Sequence, residues 1–77
     1  MQMNNTTEID VRGLTPPKPF ELIVPALLKM VPGAALKVLI LREPFQLYDM
    51  LRQAGYVWRT HRLADSGFKI QISRPLA

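Results

Sequence analysis

The hydrophobic pattern changes period several times along the chain and predicts four strands. Glu8–Arg12 alternates polar and apolar residues, as a strand with one face in water does. Leu36–Arg42 contains four consecutive apolar residues, which favours a strand in the interior of a sheet. Tyr56–Leu63 and Phe68–Arg74 have strand-like composition and are separated by a short turn sequence with a glycine, so they predict a hairpin.

Two segments between these strands have helical spacing. Apolar residues recur every three to four positions over Pro19–Val31, and a Pro-Gly pair ending at Gly33 stops the pattern. Pro25 lies inside this segment, so we expect a kink or a loose first turn. A second helix is predicted to open after Pro44 and to end at Gly55.

The resulting order is β-α-β-α-β-β. With right-handed crossovers both helices lie on one side of the sheet. The predicted fold is an α/β (α+β) two-layer sandwich, with a four-stranded mixed sheet and two helices on one face. Residues 1–7 are predicted to be a disordered N-terminal tail, and residues 8–77 a single domain, because 77 residues are too few for two.

Strand alternation assigns residues to the two faces of this sheet. The side facing the helices is expected to hold Ile9, Val11, Val38, Ile40, Ile70 and Ile72. The bare side is expected to hold Glu8, Asp10, Arg12, Lys37, Leu39, Leu41, Lys69, Gln71 and Ser73. In the third strand we favour Tyr56 and Trp58 pointing inward. The two exposed leucines fit either a weak dimer or a monomer in which long basic side chains screen them.

Composition excludes several kinds of chemistry. The chain has no cysteine, which rules out disulfides, thiolate metal sites and a cysteine nucleophile within it. His61 is the only histidine and has no nearby carboxylate pattern, so we expect no catalytic residue, metal site or cofactor. Neither a signal peptide nor a membrane segment is visible, so we expect a cytoplasmic protein without membrane contacts.

Positive charge is concentrated in the second half of the chain. The formal net charge is +4, and residues 1–33 contribute nothing to it. Arg59, Arg62 and Lys69 alternate with Tyr56, Trp58 and Phe68. A basic surface with aromatic residues is typical of single-stranded nucleic-acid binding. An ordinary solvated face is the alternative reading of the same residues.

A proline-rich segment precedes the first helix. Its three prolines make it rigid, and the amides of Phe20 and Glu21 at the start of the helix, with Lys18 and Arg12 nearby, predict a small anion site. The alternative is that these prolines only shape the turn between strand and helix.

This segment carries a family resemblance. Asp10-Val11-Arg12-Gly13-Leu14 followed by Pro16-Pro17-Lys18-Pro19 resembles the signature of the TusA/SirA-like sulfur carriers, in which a Cys-Pro-x-Pro motif opens the first helix. Position 16, where the family has its cysteine, is proline. The resemblance therefore implies the fold but no sulfur transfer and no catalytic residue. More specifically, the chain looks like an uncharacterised bacterial branch of TusA-like domains that have Pro-Pro-x-Pro in this place. The C-terminal domain of translation initiation factor 3 has a similar fold.

We therefore expect a non-catalytic domain that binds a partner protein or a small anion through the proline-rich segment. The expected contacts are Arg12, Thr15, Pro16, Pro17, Lys18 and Pro19. The alternative is an RNA or single-stranded nucleic-acid module that uses Arg59, Arg62 and Lys69.

Overall fold

Six elements follow one another along residues 6–76, the part of the chain that the computed structural model describes. They are β1 (Thr6–Asp10), α1 (Lys18–Lys29), β2 (Ala35–Ile40), α2 (Phe45–Ala54), β3 (Val57–Arg62) and β4 (Phe68–Ser73). The predicted order is confirmed.

The strands form one mixed sheet in the order β1-β2-β4-β3. β1 runs parallel to β2, whereas β4 is antiparallel to both β2 and β3. The apolar segment β2 is paired on both sides, as predicted from its composition. One row of inward residues crosses the whole sheet: Ile9, Val38, Ile70 and Thr60.

The core lies between the helices and one face of the sheet, so both helices cover the same face, as predicted. α1 contributes Ile23 and Leu27, and α2 contributes Leu47, Tyr48 and Leu51. The strands and loops add Val11, Met30, Ala34, Leu36, Val38, Ile70 and Ile72. Ile9, Ile40, Tyr56 and Trp58 are partly buried and pack against these residues, which confirms their inward orientation.

Most element boundaries differ from the prediction by one or two residues, among them the end of β2, which is Ile40 instead of Arg42. β1 begins at Thr6, so Thr6 and Thr7 pair with β2 instead of belonging to the tail. The rest of the predicted tail, residues 1–5, lies outside the described residues, as does Ala77. α1 ends at Lys29, because the next residue has an extended backbone with ψ 128°. Pro25 lies inside α1, and the kink expected there stays a prediction.

Hydrogen bonds connect the residue that follows β4 with the segment that follows α1. The Arg74 side chain donates a hydrogen bond to the carbonyl oxygen of Met30, and the Gly33 amide donates to the carbonyl oxygen of Arg74 at 2.8 Å. Arg74 therefore satisfies a backbone carbonyl at the end of a helix, where cations are favoured. Neither helix within residues 6–76 is long and apolar enough to cross a lipid bilayer.

Candidate functional site

The proline-rich loop and the loop between β2 and α2 lie at the same edge of the sheet. β1 and β2 are parallel, so their carboxyl ends meet there. Val11, just after β1, donates its amide hydrogen to the carbonyl oxygen of Leu39 at 2.9 Å, which keeps the two strand ends together. Open α/β sheets usually bind ligands at this edge.

A groove runs between the two loops. It consists of two adjoining depressions of about 380 and 340 Å³, which share Pro16, Pro19, Ile40 and Arg42. The first is completed by Val11, Gly13, Leu14, Thr15 and Leu41, and the second by Phe20, Glu43, Pro44, Phe45 and Gln46. We call it the proline groove.

Three large apolar side chains in the proline groove are exposed. Leu14 is 39% exposed, Leu41 47% and Phe45 66%. Leu41 was predicted on the bare sheet face, but it follows the end of β2 and lines this groove instead. Exposed apolar side chains that lie together are typical of an interaction site.

The proline-rich loop has its own hydrogen bonds. The Leu14 amide donates to the carbonyl oxygen of Val11 at 3.2 Å, and the Lys18 amide donates to that of Thr15 at 2.9 Å. Gly13, which lies between Val11 and Leu14, has φ +85°, a backbone conformation that residues with a Cβ rarely adopt. The peptide bond between Pro16 and Pro17 is cis. The loop is thus held in one shape by turns and prolines, with residues 13–18 exposed.

Arg12, a predicted contact, is already paired. Its Nε and Nη2 atoms donate to the two carboxylate oxygens of Asp10 at 3.0 and 2.9 Å, and its amide donates to the same carboxylate. The Arg12 side chain is the main cause that lowers the pKa of Asp10 below its ordinary value, and Asp10 raises the pKa of Arg12. The charge of Arg12 is therefore balanced within the loop.

One of the two helix amides expected to bind an anion is also engaged. Glu21 donates its amide hydrogen to the carbonyl oxygen of Pro17 at 3.2 Å. Pro19 has no amide hydrogen, and Lys18 uses its own within the loop. The predicted small-anion site thus keeps only the Phe20 amide and the exposed side chain of Lys18.

Two cations near the groove lack an acidic partner. Within residues 6–76, neither Arg42 nor Lys18 forms an ion pair. Glu43 lines the groove with Arg42 and adds an acidic side chain there, whose carboxylate accepts a hydrogen bond from the Tyr48 hydroxyl at 3.1 Å. The proline groove therefore combines apolar walls with Arg42 and Glu43, and Lys18 adds a further positive charge beside it. Sequence reasoning did not assign Arg42 or Phe45 to the site, because both belong to a different loop from the prolines.

Tyr48 is the centre of a hydrogen-bond chain behind the groove. Its only hydroxyl hydrogen goes to Glu43, so the 2.6 Å contact with Thr60 Oγ1 has Thr60 as the donor. Burial is the main cause that raises the pKa of Tyr48. These hydrogen bonds join the β2–α2 loop to β3 and hold that side of the groove in place.

The three basic residues predicted to bind nucleic acid do not share a face. Arg59 and Lys69 lie on the open face of the sheet. Arg62 is on the other face, where its guanidinium lies 5.8 Å from the ring centre of Phe68. The grouping of all three as one binding surface is therefore wrong, because adjacent strand residues alternate between faces.

The aromatic residues predicted for that surface also face the helices. The Tyr56 hydroxyl donates to the carbonyl oxygen of Leu27 at 3.0 Å, and Trp58 stacks on Tyr48 with ring centres 5.4 Å apart. Phe68 packs against the core. The predicted basic and aromatic sheet surface is thus not formed, and within residues 6–76 the open face keeps only the imidazole ring of His61.

Comparison with known proteins identifies the family. The profile of DUF2249, described as an uncharacterized conserved protein, matches residues 8–74. The chain belongs to the DUF2249 family. The DUF2249 chain also matches the crystal structure of a SirA-like protein from Desulfitobacterium hafniense, with a TM-score of 0.79 and 21% identity over 90% of this chain and 97% of that one. At that identity the match shows a SirA-like fold and nothing more. No curated protein matches the sequence.

The DUF2249 chain therefore has the expected fold without cysteine anywhere in its sequence. Within residues 6–76, no group of three or more histidine, aspartate or glutamate side chains is placed to hold a metal ion. At this edge the structure displays apolar surface together with the charges of Arg42, Lys18 and Glu43.

Proposed function

We propose that this chain is a non-catalytic domain of the cysteine-less Pro-Pro-x-Pro branch of TusA-like proteins, and that it binds a segment of a partner protein in the proline groove. One observation carries the proposal: Leu14, Leu41 and Phe45 are exposed together around a rigid groove. A preformed apolar groove lowers the entropic cost of binding.

Sulfur transfer is not part of this function. A sulfur carrier needs a thiolate that holds the sulfur as a persulfide, and a proline side chain has no nucleophilic atom. Pro16 instead provides apolar surface to both halves of the groove.

The charges favour a peptide over a small anion. Arg12 is neutralised by Asp10 and the Glu21 amide is engaged, so a small anion at the start of α1 has few donors. Arg42 in the groove and Lys18 beside it are without acidic partners in the described chain. The partner segment that fits has a large apolar side chain for the groove and an adjacent Asp or Glu for these cations.

The test is selection of peptides from a random display library on the immobilised chain. We expect enrichment of peptides with an apolar residue next to an acidic one. Phe45→Ser and Leu14→Ser should each lower the affinity for the best peptide about five- to thirtyfold, because truncating an anchor contact costs about 1–2 kcal/mol of binding free energy. Arg42→Gln should weaken the binding of peptides that contain Asp or Glu more than the binding of the same peptides with Asn or Gln at that position.

Leu28→Ser is the matched control. Leu28 is 79% exposed on α1 and lies outside the groove, so its loss should leave peptide affinity unchanged. The proposal is abandoned if no peptide is enriched, or if Leu28→Ser weakens binding as much as Phe45→Ser. Lysate capture with the same variants then identifies the natural partner as the protein lost only with the groove substitutions.

A further inference from the structure

The open face of the sheet holds a second positively charged surface, separate from the proline groove. Gln71 on β4 is its centre, because it pairs with Lys37 on β2 and with Arg59 on β3. Lys69 is two positions earlier on the same strand and faces the same way. We call these four residues the Gln71 cluster.

The cluster has almost no opposing charge. The outward positions of β2, β3 and β4 are Ala35, Lys37, Leu39, Val57, Arg59, His61, Lys69, Gln71 and Ser73, and none is acidic. Carboxylates appear only on β1, where Glu8 pairs in register with Lys37 and Asp10 is held by Arg12. Within residues 6–76, none of the three cations of the cluster forms an ion pair.

The dimensions of the sheet place these cations around a small area. Lys37 and Arg59 are two strands apart, which is about 10 Å. Lys69 is a diagonal neighbour of Arg59, about 7 Å away. A shallow depression of about 470 Å³ lies between Lys37 and Arg59, where Ala35, Gln71 and Ser73 have short or flexible side chains. Lys37 and Arg59 therefore flank a space that suits a small, highly charged anion, and Lys69 lies next to it on the same face without lining it.

Gln71 is itself held by a neighbour on the same face. The Nε2 atom of His61 lies 3.1 Å from Oε1 of Gln71. This contact uses the amide oxygen and leaves the NH2 group of Gln71 to donate. The Ser73 hydroxyl lines the same depression and adds a further donor.

We propose that the Gln71 cluster binds a compact phosphate anion with several negative charges, of the inorganic triphosphate class. The Arg59 guanidinium offers two parallel N–H donors to a phosphate, and Lys37 and Lys69 add point charges on two sides. The proposal does not depend on the proline groove, which lies on the helix side of the sheet edge.

A nucleic acid suits this face less well. The described phenylalanine, tyrosine and tryptophan side chains near it face the helices, so among residues 6–76 only the His61 ring, which is engaged with Gln71, is left for a base to stack on. A long phosphate chain that crossed the sheet beyond Lys37 would also meet the carboxylates of Glu8 and Asp10 on β1. The charge pattern thus favours a compact anion over a polymer.

The experiment is a titration of the full chain with sodium triphosphate at low ionic strength, followed by amide chemical shifts in NMR and by calorimetry. We expect shifts at the amides of β3 and β4 around Arg59 and Gln71. Lys37→Gln, Arg59→Gln and Lys69→Gln should each weaken binding about three- to tenfold, because each removes one charge-assisted contact. Added salt should weaken binding as well.

Arg62→Gln is the matched control, since it removes the same charge from the same strand on the opposite face. It should leave triphosphate affinity within about twofold of the original chain, because screening limits the reach of a distant charge. The proposal is overturned if triphosphate does not bind, or if Arg62→Gln and Arg59→Gln weaken it equally. It is also overturned if an oligonucleotide of mixed sequence, titrated under the same conditions, binds more than tenfold tighter than triphosphate, since the face then recognises a polymer.

Discussion

The two faces of the sheet are made by the same strands and differ in chemistry. On β4, Ile70 and Ile72 are fully buried under the helices, whereas Lys69 and Gln71, which alternate with them, lie on the open face. On β3, Trp58 and Thr60 contact α2 through Tyr48, whereas Arg59 and His61 point away. Stability and binding chemistry are thus separated by strand alternation alone.

This separation has a consequence for function. Because the helix side supplies nearly all the apolar burial, the open side is free to hold unpaired cations at little cost to the fold. The proline groove lies at the carboxyl edge of β1 and β2, where both faces of the sheet end. A substitution that respects the separation should change either stability or binding, but not both.

The largest test compares Ile70 with its neighbour Lys69. Ile70→Ala should lower the free energy of unfolding by about 3–4 kcal/mol, because it removes a fully buried side chain in the middle of the sheet. Lys69→Ala should change it by less than about 0.5 kcal/mol. Urea denaturation measures both. Similar losses for the two variants would show that the open face also carries stability.

A smaller effect is expected at Thr60, a polar residue on the helix side. Thr60→Val keeps the shape but removes the hydrogen bond to the Tyr48 hydroxyl, so it should cost about 1 kcal/mol. The Thr60 hydrogen bond lowers the pKa of Tyr48 against the larger effect of burial, so the variant should also raise that pKa.

Thr60→Ser is the control for this test, because it retains the hydroxyl and should keep most of the stability. Arg59→Gln, one residue earlier on the open face, should leave the free energy of unfolding unchanged within about 0.5 kcal/mol. If Thr60→Val is as stable as the original chain, the Tyr48 hydrogen-bond chain does not contribute to the fold.

The smallest expected effect concerns the ion pair beside the proline groove. The pKa of Asp10 should lie below its ordinary value of 3.8, chiefly because the Arg12 side chain donates to the carboxylate. A depressed pKa means that the pair contributes to stability above the unfolded value and that this contribution is lost as pH falls through the folded pKa. Carboxyl chemical shifts measured across the acid range give the value directly.

Arg12→Gln should return the pKa of Asp10 toward 3.8. Asp65 serves as the control, since its pKa is lowered mainly by the Ser66 amide, with Arg12 the last of its causes. An Asp10 that titrates at its ordinary value in the original chain would show that Arg12 is free to bind an anion, contrary to the geometry.

Most of the architecture was predictable from the sequence, because the hydrophobic periods of its elements are strong. The start of β1 was not, since Thr6 and Thr7 are exposed and form a strand only through backbone pairing with β2. The error at Arg62 was avoidable: it is an even number of residues from Trp58, so both had to share the helix face.

The candidate site was predicted in part. Three of the predicted contacts, Thr15, Pro16 and Pro19, line the proline groove, Pro17 and Lys18 do not, and Arg12 is paired with Asp10. The opposite wall, with Arg42 and Phe45, was missed. These residues follow the end of β2, and only the parallel pairing of β1 and β2 brings them to the prolines.

The amino-acid order alone determined the six elements, the absence of a thiol and the rigidity of the proline-rich segment, because each depends on local periodicity or on residue type. Tertiary structure decided which side chains meet. The proline groove and the Gln71 cluster each join residues from different elements, and such neighbours are set by strand order and register, which are properties of the folded sheet rather than of any one segment.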